Sequence, residues 1–339
     1  MRAVAKFWHL EDGKVHCDLC PVGCDLKEGQ VGSCGVRVNV GGRLITFTFG
    51  TVTSAAIDPV EKKPLFHFYP GHLTLTIATP GCNLHCRGCQ NWQISQVPKG
   101  AVFENSAFEE TYIDPSLIVE KALESGCKSI SYSYSDPTIF AEYMIEVAKL
   151  AKERGLFNIM VTAGYINRDP LEEINRYMDA YSIDLKFFSD EAYRKYSKGR
   201  LQPVLENIEY LFSTGKWIEL TTLIVPRFLT EKQIRGIARW IRESLAPWVP
   251  WHLSRFFPHY RALELPPTPE EDLFRAYTIG KEEGLEHVFI GNLWGNDYES
   301  TYCPSCGEIL IRRRGFHVEG FYIKEGRCPS CSKEVKGFF

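Results

Sequence analysis

Short apolar segments alternate with amphipathic segments through the middle of the chain. The apolar segments are rich in β-branched and aromatic residues and end in polar loops, which predicts strands at 73–79, 129–134, 157–162, 181–187, 217–224, 251–257 and 287–291. Helices fill the gaps between them. This alternation predicts a mainly parallel sheet with right-handed crossovers, and six or seven such units suggest a partial (β/α) TIM-like barrel.

Capping residues mark several of the predicted helix ends. Thr230 and Gln233 have the spacing of a capping box, ahead of a one-sided apolar stripe. Thr268 opens a later helix, which Gly284 closes. The barrel is therefore expected to occupy residues 51–293.

Composition restricts the class of protein. The 339 residues have a net charge of −3 and 44% hydrophobic content, which is ordinary for a soluble globular chain and argues against a nucleic-acid partner. We see neither an apolar run long enough to cross a membrane nor a signal peptide, so we expect a cytoplasmic protein. Twelve cysteines in that compartment favour metal binding over disulfides.

Three cysteines follow the first predicted strand: Cys82, Cys86 and Cys89. A [4Fe–4S] cluster normally takes four cysteine ligands, so a C-x3-C-x2-C loop leaves one iron free for an external ligand. A catalytic zinc site keeps a position open in the same way. The alternative is a structural zinc site that His85 or His16 completes.

A second group of cysteines lies in an N-terminal module, residues 1–50, and consists of Cys17, Cys20, Cys24 and Cys34. Four thiolates fill all the coordination positions of a metal site, so this site is expected to be structural or electron-transferring. Zinc and an auxiliary [4Fe–4S] cluster both remain open, because the spacing does not separate them.

The tail, residues 294–339, carries the third group: Cys303, Cys306, Cys328 and Cys331. Two Cys-Pro-Ser-Cys knuckles with strand-like residues between them predict a zinc ribbon, with a rubredoxin-like iron site as the alternative. The basic run 312–314 is the only nucleic-acid signal, so a structural or protein-docking ribbon is favoured. The remaining cysteine, Cys127, is predicted to be a buried apolar residue.

Polar residues recur where the predicted strands end. Because barrels carry their ligands on loops at the carboxyl ends of strands, these residues are candidates for cofactor binding. They are Asp136, Pro137, Thr138, Thr162, Asp184, Lys186 and His259. In the simpler interpretation, Asp136 is a helix N-cap and Asp184 forms an ion pair with Lys186.

The segment Gly81–Trp92 resembles the cluster loop of radical S-adenosylmethionine (SAM) enzymes. In that family the open iron binds the amino and carboxylate groups of SAM. By the same resemblance, Asp136 lies in the motif that binds the SAM amino group. Asp184 and Lys186 match an Asp-x-Lys motif in which the lysine helps to hold SAM and the aspartate joins a cation site, and His259 lies near SAM.

Two positions depart from the family pattern. Gly88 stands where many radical SAM loops have an aromatic residue near adenine, so Trp92 is expected to support adenine instead. Val161 stands where related enzymes have a second cation-binding aspartate.

Nearly the whole chain resembles the radical SAM enzyme of the AmmeMemoRadiSam system, which is related to pyruvate formate-lyase activating enzymes. The resemblance rests on the segments 16–21, 89–92, 135–138, 251–256 and 291–292. It implies a [4Fe–4S] cluster, SAM and association with Memo-like and AMMECR-like proteins. An electron donor such as a ferredoxin or flavodoxin is also expected.

The function expected from these motifs is reductive cleavage of SAM to a 5′-deoxyadenosyl radical, which abstracts hydrogen from a substrate. The sequence leaves the substrate open among a protein glycine, another protein side chain and a small molecule. The alternatives are a strict glycyl-radical-enzyme activator, a non-enzymatic iron–sulfur electron carrier and a zinc-ribbon nucleic-acid-binding protein.

Overall fold

The computed structural model describes residues 2–99 and 112–339. Its N-terminal part consists of two small antiparallel sheets, in the strand orders β1-β6-β5 and β2-β3-β4. The strands are β1 Ala3–Val4, β2 Trp8–Glu11, β3 Lys14–Cys17, β4 Cys24–Leu26, β5 Arg37–Val40 and β6 Arg43–Thr46.

Within the described residues, the central sheet has eight strands in the order β14-β13-β12-β11-β10-β9-β8-β7. All pairs from β8 to β14 are parallel, while β7 pairs antiparallel with β8. The mainly parallel sheet predicted from the sequence is therefore confirmed. The strands are β7 Ser54–Pro59, β8 Leu73–Ala78, β9 Ser129–Tyr132, β10 Phe157–Thr162, β11 Ala180–Asp184, β12 Trp217–Ile224, β13 Trp251–Arg255 and β14 Val288–Gly291.

The helices alternate with the strands, as expected for a sheet with crossover connections. Those described are α1 Trp92–Ser95, α2 Pro115–Glu124, α3 Ala141–Glu153, α4 Arg168–Asn175, α5 Asp190–Ala192, α6 Gln202–Ser213, α7 Glu231–Trp240 and α8 Glu270–Glu282. In the described parts of the chain, no helix has both the length and the apolar character needed to cross a membrane.

One predicted cap is confirmed and another is wrong. The Thr230 side chain accepts a hydrogen bond from the Gln233 backbone N–H at the start of α7, whereas the Gln233 side chain bonds to Phe188 and Phe228 and does not complete the capping box. By contrast, α8 has no side-chain cap, because the buried Thr268 hydroxyl is used elsewhere. It donates to the Ile224 carbonyl and accepts from the Phe256 N–H, and so joins the ends of β12 and β13.

The C-terminal strands β15 Thr301–Tyr302, β16 Ile309–Arg314 and β17 His317–Phe321 form an antiparallel sheet with a small apolar core of its own. Arg313 is only 4% exposed, because its guanidinium donates to the Phe66 carbonyl and lies 3.7 Å from the Glu61 carboxylate. The run 312–314 is therefore not a continuous exposed basic patch.

Candidate cofactor site

A cavity of about 280 Å³ lies at the carboxyl ends of the parallel strands. Every strand from β8 to β14 contributes to its lining, either by its last residues or by the loop that follows, so the sheet curves around the cavity. Examples in strand order are Cys82, Ser133, Thr162, Asp184, Thr221, Ser254 and Asn292. This is the position at which barrels of parallel strands carry their ligands.

All three cysteines of the central loop line this cavity. The loop is held by backbone hydrogen bonds from His85 N to Ser197 O and from Arg87 N to Tyr196 O, at 2.9 and 3.0 Å. At its start, Gly81 has φ +93°, and a Cβ there would lie 2.6 Å from the Cys34 carbonyl oxygen. Only glycine fits this close approach of two backbones.

The histidines proposed as zinc ligands for this loop are used elsewhere. His85 bonds through Nδ1 to Gln96 Oε1 and through Nε2 to Ser33 Oγ, both at 2.9 Å. His16 bonds through Nδ1 to Asp25. Among the described residues, the sets whose ligand atoms all lie within 4.8 Å of one another include none of the three loop cysteines. The geometry does not support a compact single-metal site here.

Burial raises the pKa of the Cys82 and Cys86 thiols. The carboxylate of Asp136 raises that of Cys82 further, whereas the ammonium of Lys186 lowers that of Cys86. Binding of a metal as thiolate must therefore displace protons from both groups. The nearby lysine favours the thiolate form.

Asp184 and Lys186 form an ion pair of 2.7 Å on the cavity wall. Burial lowers the pKa of Lys186, but the charges of Asp184 and Cys86 outweigh it, and the net pKa is raised well above its usual value. The ammonium thus stays charged beside the cysteines. The ion pair anticipated as the simpler interpretation is present, but it faces the cavity.

Asp136 is 7% exposed and acts as the predicted cap. Its carboxylate accepts hydrogen bonds from Thr138 N, Thr162 Oγ1 and Ala163 N, between 2.8 and 3.2 Å. It therefore fixes the ends of β9 and β10 against each other. Pro137 and Thr138 are in the short 3₁₀ turn that follows, Pro137–Phe140.

Four residues singled out from the sequence are not among the described cavity-lining residues: Pro137, Thr138, His259 and Trp92. Trp92 stacks on Tyr260, with ring centroids 5.4 Å apart and 14° between the planes. Val161 does line the cavity, as its place in the family pattern implies.

Sequence reasoning missed two hydroxyl groups. Those of Tyr196 and Thr221 are buried at the cavity and have no hydrogen-bond partner within the described protein. Such groups are costly unless a ligand or water pairs with them. Thr221 lies near the end of β12, where the strand-end pattern could have found it, whereas nothing in the sequence around Tyr196 singles it out.

The C-terminal cysteines form a compact set. The sulfur of Cys303 lies 3.6 Å from that of Cys331, and the sulfur of Cys306 lies 3.7 Å from that of Cys328. All four lie within 4.8 Å of one another, which fits a single tetrahedral metal ion. Cys127, as predicted, is a buried residue.

Comparison with known proteins agrees with this geometry. Residues 76–241 match the model of the radical SAM superfamily. An uncharacterized protein of Methanocaldococcus jannaschii is 41% identical over 338 residues, which is 99% of each chain. The pyruvate formate-lyase-activating enzyme of Clostridium pasteurianum is 23% identical over 163 residues, covering 48% of this chain and 66% of that enzyme.

Among solved structures, a domain of a pyruvate-formate lyase-activating enzyme from Bacteroides vulgatus aligns with a TM-score of 0.43 at 17% identity, covering 48% of this chain and 99% of that one. Residues 76–241 form a radical SAM domain that is homologous to pyruvate formate-lyase activating enzymes, and the whole chain belongs to one family with the M. jannaschii protein. The chain is therefore an enzyme, and its radical SAM domain implies an iron–sulfur cluster and SAM.

Proposed function

We propose that Cys82, Cys86 and Cys89 bind a [4Fe–4S] cluster whose remaining iron takes SAM in the adjoining cavity. The observation that carries the proposal is the shared cavity, in which three thiols face one charged lysine and two unpaired hydroxyls. When bound there, the cluster and SAM supply reductive cleavage to methionine and a 5′-deoxyadenosyl radical that abstracts hydrogen from the substrate.

The residues of the chain have distinct roles in this proposal. The Lys186 ammonium pairs with the SAM carboxylate, since it is a partly buried cation on the cavity wall beside the cysteines. The Tyr196 and Thr221 hydroxyls donate to the ligand and thereby gain the partners they lack. Asp136 holds the β9 and β10 ends in place, and the apolar Leu223 limits the access of water.

An apolar groove next to the cavity supports a route by which substrate reaches it. It is lined by Phe257, Leu293, Trp294 and Phe316 and shares Gln90 and Asn292 with the cavity. Trp294 is 87% exposed, which leaves a large aromatic surface free beside the site.

Activation of a glycyl-radical enzyme is the second candidate, because the Clostridium pasteurianum relative is named for that kind of activity.

The test is SAM cleavage by the anaerobically reconstituted and reduced protein, measured as 5′-deoxyadenosine. Cys82, Cys86 and Cys89 are changed together to Ala, with Cys127→Ala as the matched control at a buried cysteine outside the cavity. We expect product from the wild type and the control but none from the triple variant. An assembled cluster that does not bind SAM would contradict the proposal and favour an electron carrier.

We also propose that the C-terminal module is a zinc ribbon. The sulfur separations of 3.6 and 3.7 Å support it, because four sulfurs about 2.3 Å from one zinc ion lie about 3.8 Å apart. Metal analysis of the purified chain is expected to give zinc that is lost in Cys306→Ser. Iron at this position would instead favour a rubredoxin-like site.

The partners proposed are Memo-like and AMMECR-like proteins, with a ferredoxin or flavodoxin as electron donor. The support is the family resemblance of the motifs described above. Adding the two proteins to the reduced enzyme should raise the rate of 5′-deoxyadenosine formation. An unchanged rate, together with no co-purification, would contradict the association.

A further inference from the structure

The two cysteine quartets of this chain differ in the spacing of their sulfur atoms. The C-terminal sulfurs lie within 4.8 Å of one another, as one tetrahedral zinc ion requires. The N-terminal residues Cys17, Cys20, Cys24 and Cys34 are not among the described sets that meet this distance. A single zinc ion does not reach sulfurs that lie farther apart.

The N-terminal cysteines instead surround a cavity. Its other walls are largely apolar and include Leu19, Leu26 and Ile139. Cys17 and Cys20 are buried, and the lining includes Asn83 and Ile139, so the cavity lies between the N-terminal module and the central domain. The arrangement leaves room between the four sulfurs, which the C-terminal quartet does not.

Arg37 also lines this cavity and is only 1% exposed. Its Nη2 donates to the Glu142 carboxylate at 2.6 Å and to the Ile139 carbonyl at 3.3 Å. Its Nε and Nη1 have no hydrogen-bond partner within the described protein. Buried guanidinium N–H groups left unpaired are costly, so they indicate an acceptor that the cavity holds.

We propose that Cys17, Cys20, Cys24 and Cys34 bind a second [4Fe–4S] cluster rather than zinc, and that Arg37 donates to its sulfur atoms. Four cysteine thiolates are the usual ligands of such a cluster. The four irons and four sulfides hold the cysteine sulfurs farther apart than one zinc ion does. The Arg37 charge offsets the negative charge that four thiolates bring into a buried site.

The proposed cluster lies next to the loop of the first cluster. Asn83 lines the N-terminal cavity, whereas its neighbour Cys82 lines the cavity at the carboxyl ends of the parallel strands. The Cys34 carbonyl packs against Gly81, and Ser33 bonds to His85. Variants of the N-terminal cysteines can therefore disturb the first site, so the test keeps them intact and removes the other ligands.

The experiment uses the full-length variant with Cys82, Cys86 and Cys89 changed to Ala, reconstituted without oxygen. We expect about four irons per chain, with the Mössbauer signature of a [4Fe–4S] cluster, since its four ligands are those of a cubane. Adding Cys24→Ser should abolish this iron. A triple variant that holds zinc in the N-terminal site, or no metal there, would overturn the proposal.

Arg37→Lys in the same triple variant tests the donor role. Lysine keeps the positive charge but loses the planar set of N–H donors. Because hydrogen bonds to cluster sulfurs tune the reduction potential, we expect a more negative potential in a titration monitored by electron paramagnetic resonance. A cluster that assembles in this variant with an unchanged potential would contradict the role of Arg37.

Discussion

Gly88 illustrates how a single residue defines the cofactor site. A Cβ at this position would lie 2.2 Å from the Tyr196 hydroxyl and 2.8 Å from a ring carbon of Phe256. The space that many radical SAM loops give to an aromatic side chain before the third cysteine is therefore filled here from another part of the chain. Glycine is required for packing.

Gly88→Ala should lower the free energy of unfolding by about 1–3 kcal/mol, the usual cost of overpacking, and reduce SAM cleavage. Adding Tyr196→Phe removes the closest atom and should restore part of the stability. Denaturant unfolding of the single and double variants measures both effects. An unchanged stability in Gly88→Ala would contradict the close contact.

The two knuckles of the C-terminal module differ at one equivalent position. Gly307 and Ser332 each follow the first cysteine of a knuckle by four residues, and their φ angles are +76° and +60°. Their N–H groups donate to the carbonyls of Cys303 and Cys328, respectively. In this left-handed conformation, serine is less stable than glycine because of its Cβ atom.

Ser332→Gly should therefore increase the stability of the module by about 0.5–1 kcal/mol, and Gly307→Ser should decrease it by a similar amount. The measurement is resistance of the bound metal to a chelator during urea titration. Effects of the same sign in the two variants would contradict the argument from φ.

The buried His287 makes the folding stability of the protein depend on pH. Burial lowers its pKa to about 3, helped by the positive charges of Lys281 and Lys333. The unfolded chain has the higher histidine pKa, about 6.5, and so binds more protons below that pH. Stability from this group is present above pH 6.5 and is lost as the pH falls toward 3.

Lowering the pH from 6.5 to 5.5 should cost about 1 kcal/mol of folding stability at His287. Glutamine does not titrate, so the His287→Gln variant should lose less stability than the wild type over this pH range, by about that amount. His317→Gln, at an exposed position, is the control. Identical pH profiles for wild type and His287→Gln would contradict the buried neutral histidine.

At the scale of elements, helix α3 anchors the N-terminal sheets to the central sheet. Its residue Glu142 accepts from the Lys6 backbone N–H at 2.8 Å and from the Arg37 guanidinium at 2.6 Å. The Arg37 and Glu142 side chains are 1% and 6% exposed, so the ion pair is buried. Breaking one side of such a pair is strongly destabilising.

Glu142→Gln should lower the free energy of unfolding by about 3–5 kcal/mol, because it removes the carboxylate partner of the buried Arg37 guanidinium. It should also increase proteolysis near residue 50. Glu146→Gln on the same helix removes only an exposed pair with Lys149 and should change stability by less than about 0.5 kcal/mol. Equal effects of the two variants would rule out the anchoring role.

At the scale of the whole molecule, the central loop lies between two candidate metal sites. Its cysteines face the cavity at the strand ends, while Asn83 faces the N-terminal cysteines. The C-terminal module is joined to the central sheet through Arg313, which bonds to Phe66. The three groups of cysteines are thus held in one connected structure.

Local pattern determined much of this architecture from the sequence. The predicted strand 217–224 has the bounds of β12, and the Thr230 cap is where the capping rule put it. Cysteine spacing gave the candidate ligand groups, since ligand loops are local, and the structure brings the C-terminal four into a compact set. Short-range periodicity and capping depend on neighbouring residues, which is why they can be read from the chain.

Only the tertiary structure decided the rest. The antiparallel strand β7 was not predicted from the sequence. The Thr268 hydroxyl bonds to the end of β12 instead of capping a helix, and Arg313, within the basic run, is buried. The tertiary structure also brought Tyr196 to the cavity and separated the N-terminal sulfurs. These features depend on contacts between residues far apart in the chain, which spacing along the sequence does not determine.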